Sequence, residues 1–382
     1  MKSWKLGYKN ALYHSVSGGF TILLLAVSFA LLSAVFSVET QLNQQIKNNT
    51  QRVDAVIGPK GGSIPLVLSS VLYADQPTGT VPFSLGEKLR KNRLVKHTTA
   101  IALGDQYNGF KLVGTDSIYR KIHALNLQQG RWPRKDNEVV LGAYTAQQNA
   151  LQLDDELYTR HGANSNTKTH PHALRVVGIL QPSHSVNDRM LFCALHHYWN
   201  VHQSETLVVS AFQVQFTNAL GLMQIPRAIA QNTPYQAAVP AYEMERLGQL
   251  IGSGTQLFQW IGYALLLLAL LALWVQIHLR FQSRLKELAL LRLHGFSPAQ
   301  LMLSFLVECW CMVLPALFLA LLLSRLALLG LNSLENLPLP FESTLLGEEW
   351  LFGAMALVIS ALIVALSTAQ LFRLNLHRVL KG

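Results

Sequence analysis

Four groups of residues in this sequence have the types and spacing to do chemistry. The first is a run of histidines. His161, His170, His172, His184, His196, His197 and His202 fall within one stretch of a chain that holds 13 histidines. Imidazole suits zinc, and His170-Pro171-His172 can put two rings on one side of an extended chain. His161, His170 and His172 are therefore the candidate zinc ligands. No carboxylate or thiol stands at a ligand spacing beside them, so a solvated loop is the competing reading. His196, His197 and His202 read instead as the polar face of a helix packed by Tyr198 and Trp199. The second group is a lone carboxylate, Glu308, inside an apolar run. A charge at such a place is costly unless it faces a helix bundle or finds a partner, and Ser or Thr on a neighbouring helix is the expected one. The third is Gly58-Pro59-Lys60-Gly61-Gly62-Ser63. It fails as a phosphate loop, because a Walker A needs Gly-Lys-[Ser/Thr] four residues after its first Gly. No nucleotide site is visible elsewhere. The fourth is a basic segment, Arg284–Glu308, between two apolar runs. Arg284, Lys286, Glu287 and Arg292 alternate there with leucines, Gly295 reads as a helix stop, and Ser297-Pro298 as the start of the next helix.

The apolar stretch Ser63–Tyr73 carries no charge. It is either a buried element of a core or an exposed apolar surface, formed by Leu66, Val67, Leu68 and Val71, that meets a partner or a lipid-like substrate. Cys193, Cys309 and Cys311 are the three cysteines and make no disulfide framework; Cys309 and Cys311 cannot pair within one helix.

The elements that must position these residues follow from composition. The chain is 382 residues long, 50% hydrophobic and 14% charged, against roughly 25% charged in soluble domains. Four apolar runs are long enough to cross a bilayer, at 15–38, 257–278, 299–324 and 350–372. Lysine and arginine cluster at 1–14, at 279–298 and at 373–382. The loop 325–349 holds four glutamates against Arg325. By the excess of basic residues, both termini and the loop 279–298 are cytoplasmic, and the first run is an uncleaved anchor led by an amphipathic segment. The net charge of +10 is spent on flanking these runs and forms no aromatic-interleaved patch, which excludes nucleic acid as a partner. Residues 39–256 form a soluble domain on the outer side, large enough for its own core. Strands are expected at Val53–Ile57, Thr98–Leu103, Phe110–Val113, Glu138–Leu141, Arg175–Leu180, Leu191–Ala194 and Leu207–Phe216. Helices are expected at Ser84–Lys91, Ala143–Ala150, His196–His202, Leu220–Asn232 and Ala241–Leu257, the last running into the second span.

Lys286-Glu287-Leu288-Ala289-Leu290-Leu291-Arg292, followed by Gly295, resembles the coupling segment of the MacB/FtsX-like ABC transporter permeases, the mechanotransmission (type VII) class. Leu293-His294 departs mildly from that pattern. "GPKG", Gly114-Thr115 and Val177-Gly178-Ile179-Leu180 through Asp188-Arg189 resemble a Gram-negative branch of the family whose genes often accompany zinc-responsive ones. The resemblance implies four transmembrane helices with a large α+β, two-lobed MacB-like periplasmic domain between the first and second. It implies an inner-membrane permease subunit without an ATP site of its own, working as a homodimer with two copies of an ABC ATPase that holds ATP and Mg. Arg284, Lys286, Glu287, Leu288, Leu291, Arg292 and Gly295 would meet that ATPase, with Leu288 and Leu291 filling its groove. Movement of the periplasmic domains would then export, extract or hand over a periplasmic substrate, with a periplasmic or lipid-anchored protein as a further partner. Two alternatives stay open: zinc-linked transport through the histidine loop, and FtsX-like regulation of a periplasmic enzyme.

Overall fold

The computed structural model describes residue 7 and residues 15–162, 171–202, 206–332 and 347–369. They divide into two compact units, one of long apolar helices and one spanning Leu42–Ile251. The expected amphipathic lead and the basic tail lie outside the described residues, Gly7 apart.

Helix α1 (Ser15–Thr50) begins in the first apolar run and continues through the polar residues after it. Its 36 residues rise roughly 54 Å, well beyond a hydrocarbon core of about 30 Å. The outer unit then follows as β1 (Ala55–Pro59), α2 (Ser63–Ser70), β2 (Val81–Pro82), α3 (Phe83–Arg90), β3 (Val95–Tyr107), β4 (Phe110–Thr115), α4 (Ser117–His123), β5 (Leu127–Gly130), β6 (Glu138–Leu141), α5 (Ala143–Gln148), β7 (Glu156–Leu157), β8 (Arg160–His161) and β9 (Leu174–Leu180). A 3-10 turn (Val186–Arg189) leads to β10 (Leu191–Ala194), α6 (Leu195–Val201), β11 (Val208–Val209), β12 (Ala211–Phe216), α7 (Ala219–Asn232) and β13 (Tyr235–Ala238).

The two expected lobes are two halves of one sheet, ordered β13-β1-β12-β3-β4-β10-β6-β9-β5, with β7 added on β9 and β8 on β3. The half from β13 to β4 is antiparallel throughout. The other half mixes in two parallel pairings, β4 with β10 and β6 with β9. Both faces are covered, which is why the strands read as unbroken apolar runs. Along β1, Ala55 and Ile57 pack under α3, α6 and α7, while Val56 packs with α2 on the opposite face. Along β6, Val140 joins Tyr119 and Phe192, while Val139 and Leu141 join Leu191 and Cys193.

The expected strand Leu207–Phe216 is two strands. Ser210 breaks it, because its Oγ accepts the amide of Leu103 (3.0 Å) in place of a ladder bond. Helix α4 was not foreseen from periodicity. It is seven residues long and is specified mainly by its cap, Asp116, whose carboxylate accepts from the amide of Ile118 (3.0 Å).

The helical unit continues with α8 (Pro240–Ser283), α9 (Leu285–Leu293), α10 (Pro298–Asn332) and α11 (Gly347–Thr368). Helices α1, α8, α10 and α11 are long and apolar enough to cross a membrane. They share a core of Leu25, Phe29, Ala269, Leu273, Phe305 and Val313, among others. Helix α8 joins the expected helix at Ala241–Leu257 and the second span without a break. Helix α10 extends past the expected end of the third span, so Arg325 lies in a helix and not in a loop.

Candidate functional site

The basic segment folds as the short helix α9. Its end is set by Gly295, whose φ of 92° suits glycine. There the amide of Phe296 donates to Leu291 O (3.2 Å) and that of Gly295 to Arg292 O (3.1 Å), the two bonds of a Schellman ending. Ser297 and Gln300 then cap α10 reciprocally: Ser297 Oγ accepts from the amide of Gln300 (3.3 Å) and Gln300 Oε1 from the amide of Ser297 (3.0 Å). Both boundaries expected from Gly295 and Ser297-Pro298 are present.

The orientation of α9 corrects the expected face. Leu288 and Ala289 are buried in the core of the helical unit, and Leu285 and Leu291 are half-buried against it. The outward face carries Lys286, Glu287, Leu290, Leu293 and His294. Leu288 cannot fill a partner's groove while it fills this core. Leu290 and Leu293, 49% and 59% exposed, are the leucines free to do so.

Arg284 also faces inward. Its Nη1 lies 3.5 Å from Oε2 of Glu308, and Arg280 of α8 donates to Oε1 of the same carboxylate. Glu308 is 1% exposed. The expected Ser or Thr partner is thus replaced by two arginines, which makes the first residue before α9 and the end of α8 a single ionic knot with α10. A second knot ties Arg325 of α10 to Glu349 of α11, whose Oε1 also accepts from Ser33 of α1 (2.5 Å). Arg325 and Glu349 had read only as loop charges. Their pairing depends on helices that continue further than hydropathy alone requires.

In the outer unit, Leu66, Val67 and Val71 are buried in a core cluster and Leu68 is half-buried against it. They are a helix of the core and its C-terminal residue, so the expected partner or substrate surface is absent there. The reason is the second face of the sheet, which α2 covers. Of the candidate zinc ligands, His161 lies on β8, opposite Asp105 of β3. His172 sits exposed in the turn before β9, and His170 falls outside the described residues. His197 is buried, and His202 follows the end of α6 with its Nε2 3.2 Å from Asp105 Oδ2. Sequence reasoning missed Asp105, which stands 56 residues from His161 and is joined to it only by strand pairing. A cleft of about 700 Å³ between α4, the β5–β6 loop and α6 is lined by Asp116, Arg120, Arg131, Trp132 and His196. Its residues come from separate segments and carried no joint signal.

Residues 19–232 match the model of the MacB-like periplasmic core domain, and residues 260–376 match that of the FtsX-like permease C-terminal region. No curated protein matches the chain. Among solved structures, the periplasmic region of MacB from Actinobacillus actinomycetemcomitans aligns at 14% identity with a TM-score of 0.37, over 53% of this chain and 98% of that one. The extracellular domain of the noncanonic ABC-type transporter YknZ from Gram-positive bacteria aligns at 14% identity with a TM-score of 0.33, over 48% of this chain and 97% of that one.

Proposed function

Because the chain belongs to the MacB/FtsX-like family of ABC transporter permeases, we propose that it is a mechanotransmission subunit driven through α9 by a separate ABC ATPase. Two permease chains and two ATPase subunits make the working unit. Both termini and α9 are cytoplasmic and the domain between α1 and α8 is periplasmic, in line with the basic flanks. ATPase closure pushes α9, and the push reaches α8 and α10 through Glu308, to which Arg280 and Arg284 are tied. The movement of the periplasmic domains then exports, extracts or hands over a substrate outside the membrane.

The observation that carries this reading is the two-faced anchoring of α9. Its inner face is held by Leu288, Ala289 and the Glu308 knot, while Lys286, Glu287, Leu290, Leu293 and His294 are presented outward. A helix held by its own chain on one side and bare on the other is built to be pushed. Mixed charge around two leucines suits a protein groove of modest size, with Leu290 and Leu293 as anchors.

Co-purification of the ATPase with the intact permease tests this. Leu290→Asp with Glu287→Lys leaves the permease inserted and folded, because neither side chain contributes to its core. It weakens ATPase association by on the order of a hundredfold. Leu288→Ala instead destabilises the permease by about 2–5 kcal/mol. Undiminished association in the Leu290/Glu287 variant overturns α9 as the docking element.

A further inference from the structure

Three side chains distant in sequence converge in the outer unit: Asp105, His161 and His202. One donor atom of each lies within 4.8 Å of the other two. Strand pairing puts Asp105 and His161 directly opposite one another, where the side chains of an antiparallel pair meet. The pairing of β3 with β4 shifts register between Leu103 and Gln106, so Asp105 sits at an irregularity of its strand. Its carboxylate is 1% exposed, yet each oxygen has an imidazole: Oδ1 is 3.0 Å from His161 Nδ1 and Oδ2 is 3.2 Å from His202 Nε2. The His202 ring is steadied by Tyr198, 4.5 Å away between centroids, whose hydroxyl donates to Leu103 O (3.1 Å). His161 is the open side of the group, with its side chain 59% exposed.

We propose that Asp105, His161 and His202 bind a divalent transition metal ion, with zinc the best fit to the donor set. Two imidazole nitrogens and a carboxylate oxygen are a borderline set that suits zinc over calcium or magnesium. Donors at zinc distances of about 2.0–2.2 Å, arranged tetrahedrally, stand roughly 3.3 Å from one another. Each imidazole nitrogen already stands at about that length from one oxygen of Asp105, His161 from Oδ1 and His202 from Oδ2, so a small turn of the carboxylate presents one oxygen to a shared ion. The third edge closes by a turn of the exposed His161 side chain. Burying a carboxylate carries a desolvation cost, and a dication bound to it offsets that cost. Three protein ligands leave the fourth position to water or to a ligand carried by another molecule, as in sites that exchange their occupant and unlike closed structural sites. The site goes beyond the coupling function and does not depend on it.

The test uses the full-length chain in detergent, stripped with a chelator and titrated with cobalt(II), whose visible absorption reports coordination geometry, and then with zinc in competition. The native chain takes up one cobalt per chain with a tetrahedral spectrum, and zinc displaces it. His161→Ala and His202→Ala each weaken binding by more than about a hundredfold, beyond the 10–100-fold typical of groups that only orient ligands. His172→Ala leaves binding unchanged. Zinc raises the thermal midpoint of the native chain and not that of the variants. Asp105→Asn is the sharper variant. Should it fail to fold, His161→Ala carries the test, because that side chain faces solvent. Absence of a saturable cobalt spectrum in the native chain overturns the proposal, as does binding retained in both histidine variants or lost in His172→Ala. ATPase co-purification with His161→Ala stays at the native level, so failure here is distinct from failure at α9.

Discussion

Glu308 in the helical unit and Glu138 in the outer unit are both buried carboxylates held by arginine, and they do different work. Glu138 receives the Arg131 guanidinium on both oxygens (2.7 and 2.5 Å) and the amides of Arg134 and Lys135 (2.8 and 3.1 Å). Every donor comes from the seven residues before it, so the carboxylate fixes one loop. The Arg131 guanidinium, helped by the two amides, holds its pKa down at about 2 against the opposing effect of burial. Glu308 instead collects Arg280 and Arg284, which stand 28 and 24 residues earlier, and so joins α8, the approach to α9, and α10. The same ion-pair chemistry stabilises a local turn in one unit and joins separate helices in the other. A loop in an aqueous domain can fall back on water when its partner is lost. A helix pair among apolar spans cannot.

The largest expected effect follows from that difference. Glu308→Gln removes the carboxylate charge that two guanidinium groups share among apolar helices and costs about 3–5 kcal/mol of stability, read as a lower unfolding midpoint of the intact permease in detergent. Removing charge on both sides, Glu308→Leu with Arg280→Met and Arg284→Met, restores most of the midpoint and still lowers ATPase stimulation, because the link is gone. A Glu308→Gln permease as stable as the native one breaks the comparison.

The outer unit loses stability in acid through a different kind of group. His123 is half-buried, with Nε2 2.7 Å from Gln213 Oε1, and desolvation lowers its pKa to about 4. A base whose folded pKa lies below its unfolded value of about 6.5 favours the fold when neutral. That contribution is complete above pH 6.5 and is lost as pH falls toward 4, on the order of 3 kcal/mol. Glu138 adds a second, lower window, from the ordinary carboxylate value of about 4.5 down to about 2. Urea unfolding of the outer unit within the full chain, followed from pH 7.5 to 4.5, shows the first loss, and His123→Gln flattens it. An unchanged slope in that variant assigns the acid sensitivity elsewhere.

The smallest effect belongs to an exposed pair. Arg90 reaches Asp116 at 2.6 Å with its side chain 37% exposed. Arg90→Ala costs less than about 1 kcal/mol in the same urea titration, since solvent screens the pair and Asp116 keeps its role as the cap of α4. A larger loss would show that outer-unit ion pairs, too, connect elements.

Much of the fold is legible in the chain because it rests on local causes. Runs such as Glu138–Leu141 and Leu191–Ala194 are strands within the bounds their β-branched and aromatic residues imply. Gly295 and Ser297 mark the ends of α9 and α10 by chemistry confined to a few adjacent residues. The candidate sites were legible only in part. In α9 the leucines lie nearly all around the helix, so periodicity cannot say that Leu288 is buried and Leu290 exposed. The histidine stretch pointed toward metal, yet of the three converging side chains Asp105 carried no such mark and His202 read as the polar face of a helix.

What the sequence by itself determined is where apolar length, basic flanks, caps and strand-forming runs occur: four membrane-length helices, a large domain between the first two, and a short basic helix between the second and third. What only the tertiary structure decided is partnership. Arg280 with Glu308, Arg325 with Glu349, α2 over the second face of the sheet, and Asp105 between His161 and His202 all join residues that the chain separates. Hydropathy and capping act over a few residues, whereas a buried face or a shared carboxylate is defined by whichever distant element covers it.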